Sequence, residues 1–289
     1  MSYAYYPGCS LHSTAEEYDR SFRKVCAKLG VEIDEVKKWV CCGSTPAHAT
    51  SHLLSIALPA HNLAAVEKSG KDEVVVPCAA CFSRFKFAQH EMAKDEKLAR
   101  KVSGVIGSDM GRKVQVVHPL EIFADRTPIP ASKVARDLSF LKVACYYGCL
   151  LTRPPKVVAF DTCEYPMSMD NVLRSVGIET LDWAYKTECC GASLSLSETE
   201  IVVKLVADLL AEAKAAGANA VAVAFPLCHA NLDTRQPEAE VLKGEKFDIP
   251  IFYFTQLIGL ALGFAPRELG LDKHIVSVEP HLSVLQGGA

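Results

Sequence analysis

Two cysteine doublets, Cys41-Cys42-Gly43 and Cys189-Cys190-Gly191, carry the plainest chemistry in this sequence. Adjacent Cα atoms lie about 3.8 Å apart, and in an extended chain successive side chains point to opposite sides. Such a pair serves one small tetrahedral ion poorly, whereas a cluster of several metal atoms can use both thiolates. Further cysteines flank each doublet at matched distances. Cys9 precedes the first, and Cys78-Ala-Ala-Cys81 follows it; Cys149 precedes the second, and Cys228 follows it. Twelve cysteines in a chain of 289 residues need a reason. A disulfide framework is disfavoured in a cytoplasmic setting, which the composition favours, and scattered inert thiols would not fall into repeated clusters.

The elements around the cysteines read as strand, cysteine-bearing turn, helix. Ala4-Tyr5-Tyr6 is a short strand that Pro7-Gly8 breaks before Cys9. A helix should follow, with Ser13 and Glu16 as a capping box, Phe22, Val25, Cys26 and Leu29 on its apolar face, and Gly30 at its end. Cys26 is read as a buried, inert thiol. Val31 to Val36 is a second strand, and Trp39-Val40 leads into the first doublet. There Gly43 would let a backbone amide approach a sulfur. Ser51 to Lys68 should be helical, with Pro59 as a kink. The β-branched run Glu73 to Pro77 is a buried strand that ends in Cys78-Ala-Ala-Cys81 at a helix start, where the dipole stabilises thiolate. Taken alone, this Cys-x-x-Cys is open to zinc, a redox dithiol or an iron–sulfur centre. His118-Pro119 starts another short helix. Thr127 to Ser132 reads as a linker.

The second half repeats the first. Tyr146-Tyr147-Gly148-Cys149 answers Tyr5-Tyr6-Pro7-Gly8-Cys9, and Trp183 precedes its doublet as Trp39 precedes the first. Ser197 to Gly217 is a long helix, with Ser197 and Glu200 as a capping pair. Ala220 to Phe225 answers the strand Val74 to Pro77, and Cys228 answers Cys81. The fold expected is α/β: two pseudo-symmetric halves, 1–132 and 133–289, each a small parallel sheet with flanking helices and a CCG cysteine cluster, paired about a pseudo-two-fold axis.

Composition narrows the function further. The chain is 49% hydrophobic and 22% charged, as for a globular protein with a full core. A net charge of -3 gives no electrostatic support for nucleic-acid binding. Met1-Ser-Tyr-Ala-Tyr-Tyr-Pro has no signal-peptide character. The longest uncharged apolar run, 249–266, contains Pro250 and is shorter than the roughly 20 residues of a spanning helix. A cytoplasmic protein with no direct membrane span is expected.

In each half the order is Cys, Cys-Cys-Gly, then a Cys-x-x-Cys or its remnant. This pattern resembles the CCG domain, and paired CCG domains resemble the B-type subunit of heterodisulfide reductase. Tyr-Pro-Gly-Cys-Ser-Leu-His (Tyr6 to His12), Tyr-Tyr-Gly-Cys-x-x-x-Arg-Pro-Pro (Tyr146 to Pro155), Cys-His-x-Asn-Leu-Asp (Cys228 to Asp233) and the segment Tyr253 to Gly263 carry the same resemblance. It implies two non-cubane [4Fe-4S] clusters, each held by five cysteines, and a disulfide opened between them. It also implies electrons arriving through a ferredoxin-like iron–sulfur subunit from a flavin subunit or membrane cytochrome, with a small disulfide or sulfane sulfur as substrate. Two relatives of this reading stay open. One is the B-type subunit of a heterodisulfide-reductase-like sulfur-oxidation complex, and the other is an electron-relay CCG subunit without a substrate of its own.

The residue count fits the first half, where Cys9, Cys41, Cys42, Cys78 and Cys81 supply five thiolates. An ordinary [4Fe-4S] cube and a zinc ion each take four. The second half departs from the pattern because Phe225 stands where a cysteine should, leaving Cys149, Cys189, Cys190 and Cys228. Four thiolates suit a cube, a zinc ion or a modified cluster, with iron–sulfur favoured over zinc. Cys145 and Cys163 are the spare thiols that could complete this set. His12, His48, His52 and His229 lie near the motifs. Arg153 would hold an anionic group or pair with a carboxylate. Asn231 and Asp233 would satisfy the backbone after Cys228. With no Gly-rich phosphate loop, no flavin or nicotinamide is expected on this chain.

Overall fold

A computed structural model describes residues 1–44, 46–108 and 113–283. Among them, eight strands form two four-stranded parallel sheets. In the first, β1 (Ser2–Tyr5), β2 (Glu32–Glu35), β3 (Glu73–Val75) and β4 (Gln115–Val117) stand in the order β2-β1-β3-β4. In the second, β5 (Lys142–Tyr146), β6 (Glu179–Thr180), β7 (Ala220–Val223) and β8 (Ile251–Tyr253) stand in the order β6-β5-β7-β8. The repeat read in the sequence is therefore a repeat of topology. Helices lie against the sheets, so inner strands are apolar throughout, as in the fully buried Ala-Val-Ala-Val of β7. The edge strand β2, Glu-Ile-Asp-Glu, is mostly exposed.

This topology decides where the cysteines meet. In each sheet the strand order reverses at the central pair, β1 with β3 and β5 with β7. The crevice outside the carboxyl ends of such a pair is the usual ligand position in a parallel α/β sheet. Cys9 follows β1, the first doublet follows β2, and Cys78 and Cys81 follow β3. Cys149, the second doublet and Cys228 follow β5, β6 and β7 in the same way.

Several helix ends differ from expectation. The helix Glu16–Leu29 ends at Gly30 with φ +75°, as its sequence predicts. Its capping box does not form, because the Ser13 hydroxyl donates back to Cys9 O at 2.8 Å and Ala15 precedes the helix. The helix Thr199–Ala215 likewise starts without a side-chain cap, and Ser197 turns to Leu194 O. In both cases a bond to a preceding carbonyl has displaced the cap, a competition open to any serine. Ser51 does cap the helix His52–Lys68, accepting from Leu54 N at 3.3 Å, and Pro59 lies inside that helix. The short helix after His118, Pro119–Glu121, runs on as a π turn over Ile122–Arg126.

The halves share one continuous apolar core. The helix Phe254–Ala261 of the second half packs on Glu16–Leu29 of the first. Across this seam Tyr18 stacks on Tyr253 with ring centroids 4.4 Å apart, and Tyr253 stacks on His229 at 4.2 Å. Ser21 and Thr255 hydroxyls meet at 2.7 Å beside them. The long uncharged run resolves into β8 and the helix Phe254–Ala261. Among the described residues no helix is long and apolar enough to cross a membrane.

Candidate metal centres

The first centre gathers five thiols from three loops. Cys78 occupies the N-cap of the helix Ala79–Lys94, which places Cys81 in its first turn. Cys42 and Cys81 sulfurs stand 3.1 Å apart, and Cys41 hydrogen-bonds Cys42. Cys78 bonds Cys81, and Cys9 lies close enough for its charge to act on Cys41. Cys42, Cys78 and Cys81 are buried, whereas Cys9 and Cys41 face solvent. Hydrogen bonds from Cys41 and then Cys81 pull the Cys42 thiol below its ordinary pKa, and the same contacts, with burial, push Cys41 and Cys81 up. One thiolate is thus already favoured inside the set.

The loops that present these sulfurs are held by residues without sulfur. Gly43, at φ +74°, brings its N–H to 3.4 Å from Cys41 Sγ, the approach expected of a glycine there. Gly8, at φ +68°, leaves bare space where a Cβ would stand 3.2 Å from Cys81 Sγ. The Tyr6 hydroxyl donates to Val40 O at 2.9 Å, and Asn62 clamps the same residue by accepting from Val40 N and donating to Val40 O, both at 2.9 Å. Asn62 is fully buried inside an apolar helix. Sequence reading missed it, although a lone asparagine in such a helix is a signal of a required polar contact.

The second centre copies this frame with four thiols. Cys149 hydrogen-bonds Cys189, and Cys190 lies 3.6 Å from Cys228. Contact with Cys149 lowers the Cys189 pKa, and contact with Cys228 lowers that of Cys190, while both partners rise. Gly191 N–H approaches Cys189 Sγ at 3.3 Å, and a Cβ on Gly148 would meet Cys228 Sγ at 3.1 Å. Phe225 fills the N-cap position of the helix Pro226–Thr234, as Cys78 does in the first half, and is buried. Here Asn231 secures the doublet, donating to Cys190 O at 2.6 Å.

The remaining candidates lie apart from the sulfur sets. Cys145 is buried on β5 near Asp170 and Lys186, where burial pushes its thiol up. Cys163 sits in its own loop, 3.6 Å from a Glu164 oxygen. Neither joins the second set. Cys26 is buried in the core, its thiol also pushed up by burial. Arg153 pairs with Glu164 at 2.9 Å, and Asp233 accepts from Ile275 N and Val276 N. His12 stands against Trp39 and 3.2 Å from Glu35. His52 faces Glu91 at 3.8 Å, and His48 is exposed. His229 is buried in the seam with Nε2 unpartnered. The two tryptophans are not equivalent. Trp39 is half-exposed and bonds Glu35, whereas Trp183 is buried and bonds Cys145 O at 3.0 Å. Among the described residues no three His, Cys, Asp or Glu side chains close on a single ion. All twelve cysteines are free, and the two sets are thiol-only, walled by protein on one side and fed with amide N–H groups. Those are donors suited to an iron–sulfur group.

Two matching parallel α/β halves, each with its thiols at the switch point, define a paired cysteine-centre protein. A family described as cysteine-rich domain (CCG) matches residues 3–86 and 143–233, and the chain belongs to that family. It is 30% identical over 277 residues to the 8-methylmenaquinol:fumarate reductase membrane anchor subunit of Wolinella succinogenes, covering 95% of this chain and 96% of that protein. It is 25% identical over 276 residues to the B-type subunit of the ferredoxin/F(420)H(2)-dependent CoB-CoM heterodisulfide reductase of Methanosarcina acetivorans, covering 93% and 92%. A crystal structure of a hypothetical protein from Helicobacter pylori superposes with a TM-score of 0.78 at 13% identity, over 96% of this chain and 52% of that one. That last likeness concerns the fold alone.

Proposed function

We propose that the chain is the cluster-bearing subunit of an oxidoreductase complex, and that it opens or forms a disulfide at its N-terminal centre. The observation that carries this reading is the half-open set of five thiols. Cys42, Cys78 and Cys81 are sealed by protein, while Cys9 and Cys41 border solvent. A non-cubane [4Fe-4S] cluster held by Cys9, Cys41, Cys42, Cys78 and Cys81 supplies one-electron chemistry to a two-electron reaction. The protein's part is to hold five sulfurs in register through Gly8, Tyr6 and Asn62, and to leave one side free for a substrate sulfur. Reduction consumes two electrons and two protons and yields two thiols. The electrons come from a ferredoxin-like partner subunit, served in turn by a flavin subunit or membrane cytochrome. The C-terminal four-thiol centre, [4Fe-4S] in preference to zinc, holds or relays charge. The halves 1–132 and 133–289 are the two units of this arrangement, in a cytoplasmic or membrane-attached complex.

A second reading has one observation in its favour. The Wolinella relative is named as a subunit of a fumarate reductase, which supports a relay subunit with no sulfur substrate. Anaerobically purified protein separates the two. Iron and acid-labile sulfide analysis with electron paramagnetic resonance would count the centres. Reduced dye would then be offered with small disulfides, and oxidised dye with thiols. Turnover that disappears in Cys41→Ala supports the disulfide reading. Loaded centres that exchange electrons with dye but never turn over a disulfide or thiol leave the relay, and protein without iron and sulfide overturns both.

A further inference from the structure

Beside the C-terminal doublet the surface turns apolar. The turn Ala192–Leu194 follows directly from Gly191, and Leu194, Leu196 and Ile201 are exposed on it and just beyond, Leu196 at 100%. Leu227, also exposed, comes one residue before Cys228 on the helix Pro226–Thr234. The turn packs against that helix and against Thr199–Ala215, so these side chains come from three touching elements next to the exposed Cys189. The first doublet has a different border, with Leu54 the one large hydrophobic exposed on the two described helices directly after it, Pro46–Thr50 and His52–Lys68. Its neighbours Lys37, Lys38, Trp39 and Ser44 are charged, half-buried or polar.

Looseness does not account for the exposed leucines. Asn231 ties the turn down, with Nδ2 on Cys190 O at 2.6 Å and Oδ1 accepting from Ser195 Oγ at 3.0 Å. Arg235 donates to Ser195 O at 2.9 Å. A pinned turn that keeps large apolar side chains in water marks a contact surface. Glu188, Glu198 and Glu200 are exposed around the patch, while the nearby cations Lys204 and Arg235 are engaged by Asp208 and Glu238. The rim is therefore acidic. It would be repelled by an anionic lipid surface and would meet a cationic protein face.

We infer that this patch docks a partner subunit whose contact face is apolar at its middle and rimmed by Lys or Arg, and that the contact covers Cys189. The inference rests on the reading of the chain as a cluster-bearing subunit, and it gives the C-terminal centre its role as the side facing the electron-exchanging partner. A group held by Cys149, Cys189, Cys190 and Cys228 would accept one electron from the partner's reduced iron–sulfur or flavin group, with no bond made or broken.

The test uses the full chain in the complex purified from its native host. A benzophenone amino acid replaces Leu196 or, as a control, Val241, which is 85% exposed on the helix Gln236–Lys243. The expected product is a crosslink from position 196, and not from 241, to a Lys- and Arg-rich peptide of one partner subunit. A crosslink to a second copy of the chain overturns the inference, as does an intact complex with no product. So does Leu196-dependent pelleting with phosphatidylglycerol-containing vesicles. The variant L194S/L196S should weaken partner binding by about tenfold or more while iron, sulfide and melting temperature stay as in the parent. E198K/E200K should also weaken binding, without touching the apolar centre, and should reverse its salt dependence. Absence of iron and sulfide from the parent complex would overturn the functional reading itself, whatever the crosslinks show.

Discussion

The two centres share a frame and differ in what the frame holds. Gly8 and Gly148 both sit at φ +68° beside a buried cysteine. Tyr6 donates to Val40 O at 2.9 Å and Tyr146 to Glu188 O at 2.7 Å, each just before its doublet. Each doublet glycine points its N–H at a sulfur. Against this sameness, Cys78 and Phe225 occupy one N-cap position with opposite chemistry. The Cys42 and Cys81 sulfurs stand 3.1 Å apart, and their counterparts Cys190 and Cys228 stand 3.6 Å apart. The polar clamp on the doublet loop also comes from different places, Asn62 in one half and Asn231 in the other. The backbone route to the site and the donor set are thus separable properties. One side chain at a helix start changes the second and leaves the first intact.

The largest effect should come from removing a thiol that each centre needs. Cys42→Ala should abolish the N-terminal centre and remove roughly half of the iron and sulfide, and Cys190→Ala should do the same to the C-terminal one. Each should also destabilise its half by several kcal/mol in the loaded protein, because metal binding is coupled to folding. Turnover driven by the partner subunit should be lost in both, but only Cys42→Ala should also stop disulfide turnover with reduced dye as the donor. If Cys190→Ala stops the dye-driven turnover as completely, the functional division between the halves is wrong.

Phe225→Cys attacks the asymmetry directly. Losing the buried ring should cost the metal-free chain about 2–4 kcal/mol, by analogy with other large-to-small core changes. After anaerobic reconstitution the second centre should gain the spectrum of the first. A parent that already shows two identical five-thiolate signals would end the comparison, and would require Cys145 or Cys163 to leave its place on β5 or in its loop.

Much of this was legible in the sequence because the site is made by short, strongly patterned segments. The β-branched run before Cys78, the Gly-Cys pair after each first strand and the Cys-Cys-Gly doublets each report a local constraint. Strand order was beyond direct reading, yet the twofold repetition was enough to give two parallel units. What was not legible depends on distance in the chain. Ser13 and Ser197 look like caps but bond a carbonyl behind them, because local alternatives compete on equal terms. Asn62 reaches across 22 residues to Val40, and no spacing rule predicts that. The tryptophans repeat in sequence and not in role, since their neighbours differ.

A subtler pair of variants tests how alike the two frames are. Gly8→Ala and Gly148→Ala each force a side chain into left-handed backbone, which costs about 1–2 kcal/mol. Their new Cβ atoms would stand 3.2 and 3.1 Å from Cys81 and Cys228 sulfurs. A free thiol can move by the few tenths of an ångström required, whereas a ligated one cannot. The penalty in thermal unfolding should therefore be nearly equal in the two halves, and larger in the loaded protein than in the metal-free one. Unequal penalties would show that the frames are not equivalent under load.

The smallest difference concerns acid. His118 and Tyr253 occupy matching positions, each at the start of the helix that follows the fourth strand of its sheet. His118 Nε2–H donates to Pro77 O at 3.0 Å and Nδ1 accepts from Leu120 N at 3.3 Å, so the ring is held neutral in the core. Burial pushes its pKa down to about 3. In the unfolded chain it titrates near 6.5. Between these values the unfolded state binds a proton that the folded state refuses, so stability is full above about pH 6.5 and falls as the pH drops toward 3. His274, pushed by burial down to about 4, adds a slope of the same sign in the second half. Tyr253, raised by burial, titrates far above this window. Urea unfolding of the metal-free chain between pH 4 and 6 should lose about 1 kcal/mol per pH unit for His118. His118→Gln should remove that share of the slope even if it lowers stability at every pH, and Tyr253→Phe should leave the slope unchanged. An unaltered slope in His118→Gln would mean that the ring accepts a proton in the folded protein, and the neutral hydrogen-bond pattern that anchors it between Pro77 and Leu120 would be wrong.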